Sequence, residues 1–135
     1  MIHLDTNYLI GLLVKGSPEA AEVDGWLAAG QLLAASAIAW TEFLNGPVNP
    51  LEVSQVEAVL GGRIIAFGQP EAVLAADLFN QTGRRRGSRF DCPIAATALR
   101  APAEVATANQ SDFKVFQARG LKVFGQSHEP APSSH

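Results

Sequence analysis

The sequence predicts an α/β fold, a three-layer sandwich in which a mainly parallel sheet of about five short strands lies between helices. Short apolar runs without polar alternation recur along the chain, as expected for strands that are buried on both faces. These runs alternate with segments of helical periodicity. No internal repeat or linker divides the 135 residues. We therefore expect one domain over residues 1–125 and a disordered tail over residues 126–135.

The strands are predicted from runs that are apolar or β-branched and too short for helices. In chain order they lie at residues 1–4, 32–35, 63–67, 104–108 and 121–124. Because none of them alternates between polar and apolar residues, each is expected to be covered by helices on both sides.

The helices are predicted from apolar residues at intervals of three and four, bounded by capping residues, prolines and glycines. Their starts, in order, are Asp5 or Thr6, Pro18, Ser36, Leu51, Pro70, Asp91 and Ser111. Their ends, in the same order, fall near Gly16, Gly30, Gly46-Pro47, Gly61-Gly62, Thr82-Gly83, Arg100 and Gly120. In this prediction Asp91 is the N-cap of its helix and Pro93 lies in the first turn, where a missing N–H costs little.

Composition excludes several classes of protein and site. No apolar run approaches the roughly 20 residues that span a bilayer. The first residues lack the basic region of a signal peptide, so we expect a cytoplasmic protein. The single cysteine, Cys92, excludes an internal disulfide and a thiolate metal site, and it suits a reducing compartment. Any metal must therefore be held by oxygen atoms or by histidine.

Four acidic residues stand out by their places in the predicted fold. Asp5 follows the first strand directly, and Asp112 lies shortly after the fourth. Asp91 begins a helix, and Glu42 lies one turn after Ile38 near the inward side of another. The alternative interpretation is that each aspartate only caps a helix and that Glu42 is solvated. However, ligands of parallel sheets collect beyond the carboxyl ends of the strands, which brings at least Asp5 and Asp112 to one edge.

Converging carboxylates point to a cation and to phosphate chemistry. Several carboxylates at one sheet edge cannot all stay ionised without a positive charge nearby. Oxygen ligands alone favour Mg²⁺ or Mn²⁺ over zinc. Such an ion can activate a water molecule and neutralise the charge that develops on a phosphodiester.

Four motifs in this order and at these separations carry a family resemblance. They are Leu4-Asp5-Thr6-Asn7, Trp40-Thr41-Glu42-Phe43-Leu44-Asn45-Gly46, the run from Asp91 to Leu99, and the run from Thr107 to Phe113. With them, the chain up to about Phe124 resembles the PIN-domain ribonucleases, in particular the VapC-type toxins of bacterial toxin–antitoxin pairs. The resemblance implies a PIN-like fold and a Mg²⁺- or Mn²⁺-dependent endoribonuclease.

The resemblance also implies residue roles and partners. Asp5, Glu42, Asp91 and Asp112 would form the catalytic acidic pocket, with Asp5, Asp91 and Asp112 as metal ligands. Thr6 and Asn109 would be the polar residues that surround the pocket. The implied partners are an RNA substrate, a second copy of the chain in a homodimer, and an antitoxin that wraps the toxin and blocks the pocket. Apolar residues on the early helices, such as Leu12, Leu13 and Val23, would suit the antitoxin if they are exposed.

The basic residues leave two interpretations open. The formal net charge is −3, but four of the ten basic residues, Arg84, Arg85, Arg86 and Arg89, lie together just before Asp91. They form either a solvated loop or a contact for RNA phosphates beside the acids.

Two other functions compete with that of a nuclease. One is a catalytically silent PIN-like module that binds RNA or protein. The other is a phosphoacceptor receiver domain, which would need a pair of adjacent acids after the first strand and a lysine beyond the last. Here Asp5 stands alone and Gly125-Gln126 follows the last strand, so the receiver domain is disfavoured.

Overall fold

The computed structural model describes residues 1–81, 88–100, 104–108 and 110–125, with only the backbone described at residues 88–90. Its strands are β1 (Ile2–Leu4), β2 (Leu33–Ser36), β3 (Ile64–Ile65), β4 (Glu104–Ala106) and β5 (Lys122–Phe124). They form one five-stranded sheet in the order β3-β2-β1-β4-β5, and every pairing is parallel. The predicted α/β fold with a parallel sheet of five short strands is confirmed. The predicted tail over residues 126–135 lies outside the described residues.

Seven α-helices and one short 3-10 helix connect the described parts of the sheet. They are α1 (Thr6–Gly11), α2 (Pro18–Ala28), α3 (Ala37–Leu44), α4 (Pro50–Leu60), α5 (Gln69–Gln81), α6 (Ser88–Arg100), α7 (Gln110–Lys114) and the 3-10 helix Gln117–Arg119. The side chains of Asp5, Ser17, Ser36 and Asn49 cap the first four helices. Gly61 ends α4 with φ of +58°, a conformation that glycine adopts without steric cost.

Three of the predicted helices have wrong boundaries. Helix α6 begins at Ser88, so Asp91 lies within its first turn, not at its cap, and Pro93 lies inside the helix. An aspartate is favourable anywhere in the first turn, because it faces the positive end of the helix dipole, so its presence does not fix the first residue. Ser111 lies inside α7 and does not cap it, and the 3-10 helix that ends at Gly120 replaces the second half of that predicted helix. The first helix ends at Gly11, earlier than predicted.

The order of the strands creates a crevice beside β1. From β1 the chain moves outward on one side to β2 and β3, and it then returns to place β4 and β5 on the other side. In such sheets the point where the order reverses opens a crevice at the carboxyl ends of the two central strands. The register pairs Leu4 of β1 with Ala106 of β4. The residues that follow these two strands are therefore neighbours.

The core surrounds β1 and reaches the helices on both faces of the sheet. All three residues of β1 are buried. Helix α6 packs closely because Ala95, Ala96 and Ala98 are fully buried small residues. His3 is also fully buried, and neither of its ring nitrogens has a hydrogen-bond partner among the described residues. Burial and the positive N-terminus lower the pKa of His3 to about 4.

Of the three residues predicted to be exposed for an antitoxin, one is buried. Val23 is only 1% exposed and belongs to the core. Leu12 and Leu13 are partly buried and pack against that core. The apolar side chains that α1 and the turn after it do expose are those of Ile10 and Val14. No helix within the described ranges is both long and apolar enough to cross a membrane.

Candidate acidic site

Asp5 is the most firmly held of the predicted site residues. It follows β1 directly and caps α1, and its Oδ1 accepts the backbone N–H of Thr6 at 2.8 Å. Its Oδ2 accepts the hydroxyl of Thr107, which follows β4, at 2.7 Å. Its own backbone N–H donates to the carbonyl of Ala106 at 2.9 Å. The carboxylate is thus fixed at the crevice between the two central strands.

The surroundings of Asp5 raise its pKa above the ordinary value for aspartate. Burial is the main cause, since it disfavours the charged form, and the negative charges of Glu42 and Asp112 add to it. The hydrogen bonds from Thr107 and Thr6 act in the opposite direction. Because both carboxylates act on Asp5, the fold brings three of the four predicted acids into one electrostatic neighbourhood.

Glu42 reaches this neighbourhood from α3. Its Oε1 accepts the hydroxyl of Thr6 at 2.9 Å. Thr6 therefore connects two acids, because its backbone N–H binds Asp5 and its side chain binds Glu42. This is the polar position beside the pocket that the sequence predicts for Thr6. A cleft of about 350 Å³ borders Glu42 and is lined also by Ile38, Thr41 and Asn45.

Asp112 approaches from the far side of the crevice. It lies in the first turn of the short helix α7 and is exposed. The next residue, Phe113, is fully buried and packs edge to face on Phe116 at a ring distance of 5.9 Å. These two rings anchor α7 to the core and leave the carboxylate of Asp112 on the solvent side.

Asp91 is the predicted site residue on α6. It is half-buried in the first turn of α6. The carboxylates that raise the pKa of Asp5 are those of Glu42 and Asp112, and Asp91 is not among them. Among the side chains described in residues 1–81, 91–100, 104–108 and 110–125, no three His, Cys, Asp or Glu are arranged to hold a metal ion. The role of Asp91 as a metal ligand therefore stays a prediction.

The donors that the fold does bring together are compatible with a divalent cation. All of them are carboxylate oxygens, which Mg²⁺ and Mn²⁺ prefer. A buried carboxylate beside two others is also the arrangement whose repulsion a bound cation relieves. Asp5, Glu42 and Asp112 thus fit such an ion in chemistry and charge.

Several predicted residues cannot be placed in the site. Arg84, Arg85, Arg86 and Asn109 lie outside the described residues, as does the side chain of Arg89. Their predicted contacts with RNA or with the acids are neither supported nor contradicted.

Two residues in the site were missed as functional residues in the sequence. Thr107 is fully buried and holds Asp5. Asn7 accepts the backbone N–H of Ala108 at 3.2 Å through its side-chain oxygen. Both lie within the motifs that carry the family resemblance. The sequence signal that could have identified them is that each lies within three residues of the end of a predicted strand. That signal becomes informative once the two strands are known to be neighbours.

Comparison with known proteins agrees with this fold. The family model described as "PIN domain" matches residues 2–118. No curated protein sequence matches. The crystal structure of FitAcB from Neisseria gonorrhoeae is 25% identical, with a TM-score of 0.66 over 92% of this chain and 96% of that one. A toxin–antitoxin complex from Klebsiella pneumoniae is 25% identical, with a TM-score of 0.67 over 84% of this chain and 91% of that one.

A third similar structure supports the fold alone. It is VapBC2 from Rickettsia felis bound to a promoter DNA fragment, which is 23% identical with a TM-score of 0.64 over 94% of this chain and all of that one. The family match covers most of the sequence, including Asp5, Glu42, Asp91 and Asp112. The resemblance seen in the motifs is confirmed, and the chain belongs to the PIN-domain family.

Proposed function

We propose that this protein is the nuclease toxin of a toxin–antitoxin pair and that it hydrolyses RNA phosphodiesters with Mg²⁺ or Mn²⁺. The observation that carries the proposal is the buried carboxylate of Asp5, fixed by two hydrogen bonds beside Glu42 and Asp112. Membership of the PIN-domain family and similarity to structures of toxin–antitoxin complexes support it.

The protein's own contribution is to hold its acids in fixed places before the substrate arrives. Thr6 and Thr107 orient both oxygens of Asp5, so its carboxylate does not need to reorganise during the reaction. The hydroxyl of Thr6 engages Oε1 of Glu42, which leaves Oε2 to accept a proton or a hydrogen bond. A divalent cation held by Asp5 and Asp112, together with Asp91, would supply the activated water and the charge neutralisation.

The partners follow from the same proposal. The antitoxin would dock on an apolar groove of about 500 Å³ beside α1, where Ile10, Val14 and Pro18 line the surface. The toxin would form a homodimer in the cytoplasm, where the buried thiol of Cys92 stays reduced.

The four arginines before Asp91 would hold flanking RNA phosphates. In that case, replacing Arg84, Arg85 and Arg86 with alanine weakens RNA binding. It also flattens the slope of log K against log[salt] by about 0.7 for each phosphate that the variant no longer neutralises. A salt titration of RNA binding by the wild type and the triple variant measures this, and identical slopes would return the arginines to a solvated loop.

The test of the nuclease proposal is cleavage of RNA by the purified protein. We expect cleavage with Mg²⁺ or Mn²⁺, none with EDTA, and none by an Asp5→Asn variant purified in the same way. The variant excludes a contaminating nuclease as the source of activity. If RNA binds to the wild-type protein but is not cut at any metal concentration, the protein is a silent binding module and the nuclease proposal is wrong.

A further inference from the structure

The segment that leads to Asp112 is tied to the start of α1 by two side chains in succession. Thr107 donates its hydroxyl to Asp5, and the backbone N–H of Ala108 donates to Oδ1 of Asn7 at 3.2 Å. Ala108 is 1% exposed. A buried backbone N–H without a partner is costly, and Asn7 supplies that partner.

This second contact lies closer to Asp112 than the first. From Ala108 the chain enters α7, where Asp112 lies four positions further on. On its other side the segment is held by β5, because the N–H of Thr107 donates to the carbonyl of Phe124 and the side chain of Gln110 donates to the carbonyl of Gly125. On the side of Asp5, the contact with Asn7 is therefore the nearer to Asp112 of the two that hold the segment.

The chemical type of the residue fits this role. The contact needs an acceptor, and the side-chain oxygens of both asparagine and aspartate provide one. An aspartate here would add a further negative charge near Asp5, whose pKa is already raised by burial and by Glu42 and Asp112. Asparagine provides the acceptor without that charge.

We propose that Asn7 is a positioning residue that sets the place of Asp112 relative to Asp5, and through it the affinity of the site for a divalent cation. This inference rests on the proposed function. Partners of this kind behind a metal ligand typically change metal affinity by about 10- to 100-fold when they are removed.

The first experiment measures the contact itself, without metal or RNA. Hydrogen exchange of the Ala108 amide, followed by NMR, should speed up in Asn7→Ala and remain slow in Asn7→Asp, which keeps the acceptor. Gln55→Ala, which removes an exposed side-chain amide from α4, is the matched control and should leave this amide unchanged. Equal exchange in the wild type and Asn7→Ala would overturn the inference. If Asn7→Ala does not fold, Asn7→Ser gives the same reading, because its side chain is too short to reach Ala108.

The second experiment measures binding of Mg²⁺ and Mn²⁺ from the metal-dependent rise in melting temperature. Asn7→Ala should weaken binding by about 10- to 100-fold. In an Asp112→Ala background the same substitution should have no further effect, because the two residues would act as a unit. An equal loss in both backgrounds would show that Asn7 does not act through Asp112.

The two proposals fail in different ways. A wild-type protein whose melting temperature ignores both metals would overturn the proposed metal-dependent function and, with it, the metal part of this inference. A wild-type response that Asn7→Ala leaves intact would overturn this inference alone. If Asn7→Asp keeps slow exchange of the Ala108 amide but loses as much metal affinity as Asn7→Ala, the inference is also overturned, because the contact would be present without its effect.

Discussion

Asp5 and Asp112 follow neighbouring strands of one sheet, yet the fold treats them in opposite ways. Asp5 is buried, and hydrogen bonds hold both of its carboxylate oxygens. Asp112 is exposed on a five-residue helix that two buried phenylalanines anchor from behind. The crevice therefore has a buried side that is built into the core and an exposed side that solvent and substrate can reach. We expect changes at Asp5 to alter both folding and activity, and changes at Asp112 to alter activity alone.

The largest effect is expected from Asp5→Asn. Cleavage should fall by on the order of a thousandfold or more, as for other residues at the centre of a catalytic site. The fold should become more stable at neutral pH, because asparagine removes a buried charge that lies beside two others. The hydroxyl of Thr107 can rotate and accept a hydrogen bond from the new NH₂ group, so the two side chains stay hydrogen-bonded with the direction reversed.

The pH dependence of this gain has a definite sign. Because the folded protein raises the pKa of Asp5, the folded state takes up a proton before the unfolded state does as pH falls. The wild type therefore gains stability as pH falls below the folded pKa. The extra stability of Asp5→Asn decreases until the pH reaches the pKa of the unfolded chain, about 4. Urea unfolding of both proteins between pH 4 and 8 measures this. A constant difference across that range would contradict the raised pKa.

A smaller effect is expected from Asp112→Asn on the exposed side. Activity at limiting Mg²⁺ should fall by roughly 100-fold, near the upper end for changes around a metal site, and should recover in part at high Mg²⁺. The free energy of unfolding should change by no more than about 0.5 kcal/mol, because the side chain is solvated. Asp91→Asn, measured in parallel, tests whether the acid on α6 takes part in cleavage. Cleavage at the wild-type rate by Asp91→Asn would remove Asp91 from the site.

Thr107→Val tests the link between the two sides. Valine keeps the shape but leaves Oδ2 of Asp5 without its hydrogen bond, so metal affinity should fall by about 10- to 100-fold. The pKa of Asp5 should rise further, because the Thr107 hydrogen bond lowers it in the wild type. The acid limb of the pH–activity profile should therefore move to higher pH. Ser54→Ala, which removes an exposed hydroxyl from α4, is the control and should leave that limb in place.

The smallest effect on activity is expected from His3→Leu, which changes only the buried side. The fold lowers the pKa of His3 to about 4, so the unfolded chain binds the proton first as pH falls. Between pH 7 and pH 4 this costs the wild type about 3 kcal/mol of stability, given an unfolded pKa near 6.5. His3→Leu should remove that loss. It should leave the cleavage rate at pH 7 within about twofold, since stabilising substitutions outside the site are usually neutral for activity. An acid-side stability curve identical to that of the wild type would contradict the prediction.

The sequence predicted the fold better than it predicted the site. The parallel sheet followed from local signals, because short apolar runs and capping residues act within a few positions of the chain. The strand order did not follow from them, since it depends on which strands pair across many residues. For that reason Asp5 and Asp112 were expected at one edge, while the roles of Thr107 and Asn7, which depend on β1 and β4 being neighbours, were missed.

The errors have the same physical origin. An aspartate suits both the cap and the first turn of a helix, so Asp91 did not reveal that α6 begins at Ser88. Leu12, Leu13 and Val23 all fit an amphipathic helix, but which face of each helix meets the core is set by the sheet beneath it. The distance between Asp91 and the other acids depends on how α6 packs against the sheet, which local sequence signals do not determine.

The central position of β1 also determines when during synthesis the site can exist. Asp5 is translated before its hydrogen-bond partner Thr107, which is 102 positions later in the chain. A nascent chain of a hundred residues carries Asp5, Glu42 and Asp91 but lacks β4, which completes the crevice. Long-range pairing of this kind also forms slowly. For the nuclease proposed above, the site therefore cannot assemble until β4 and Thr107 have been translated.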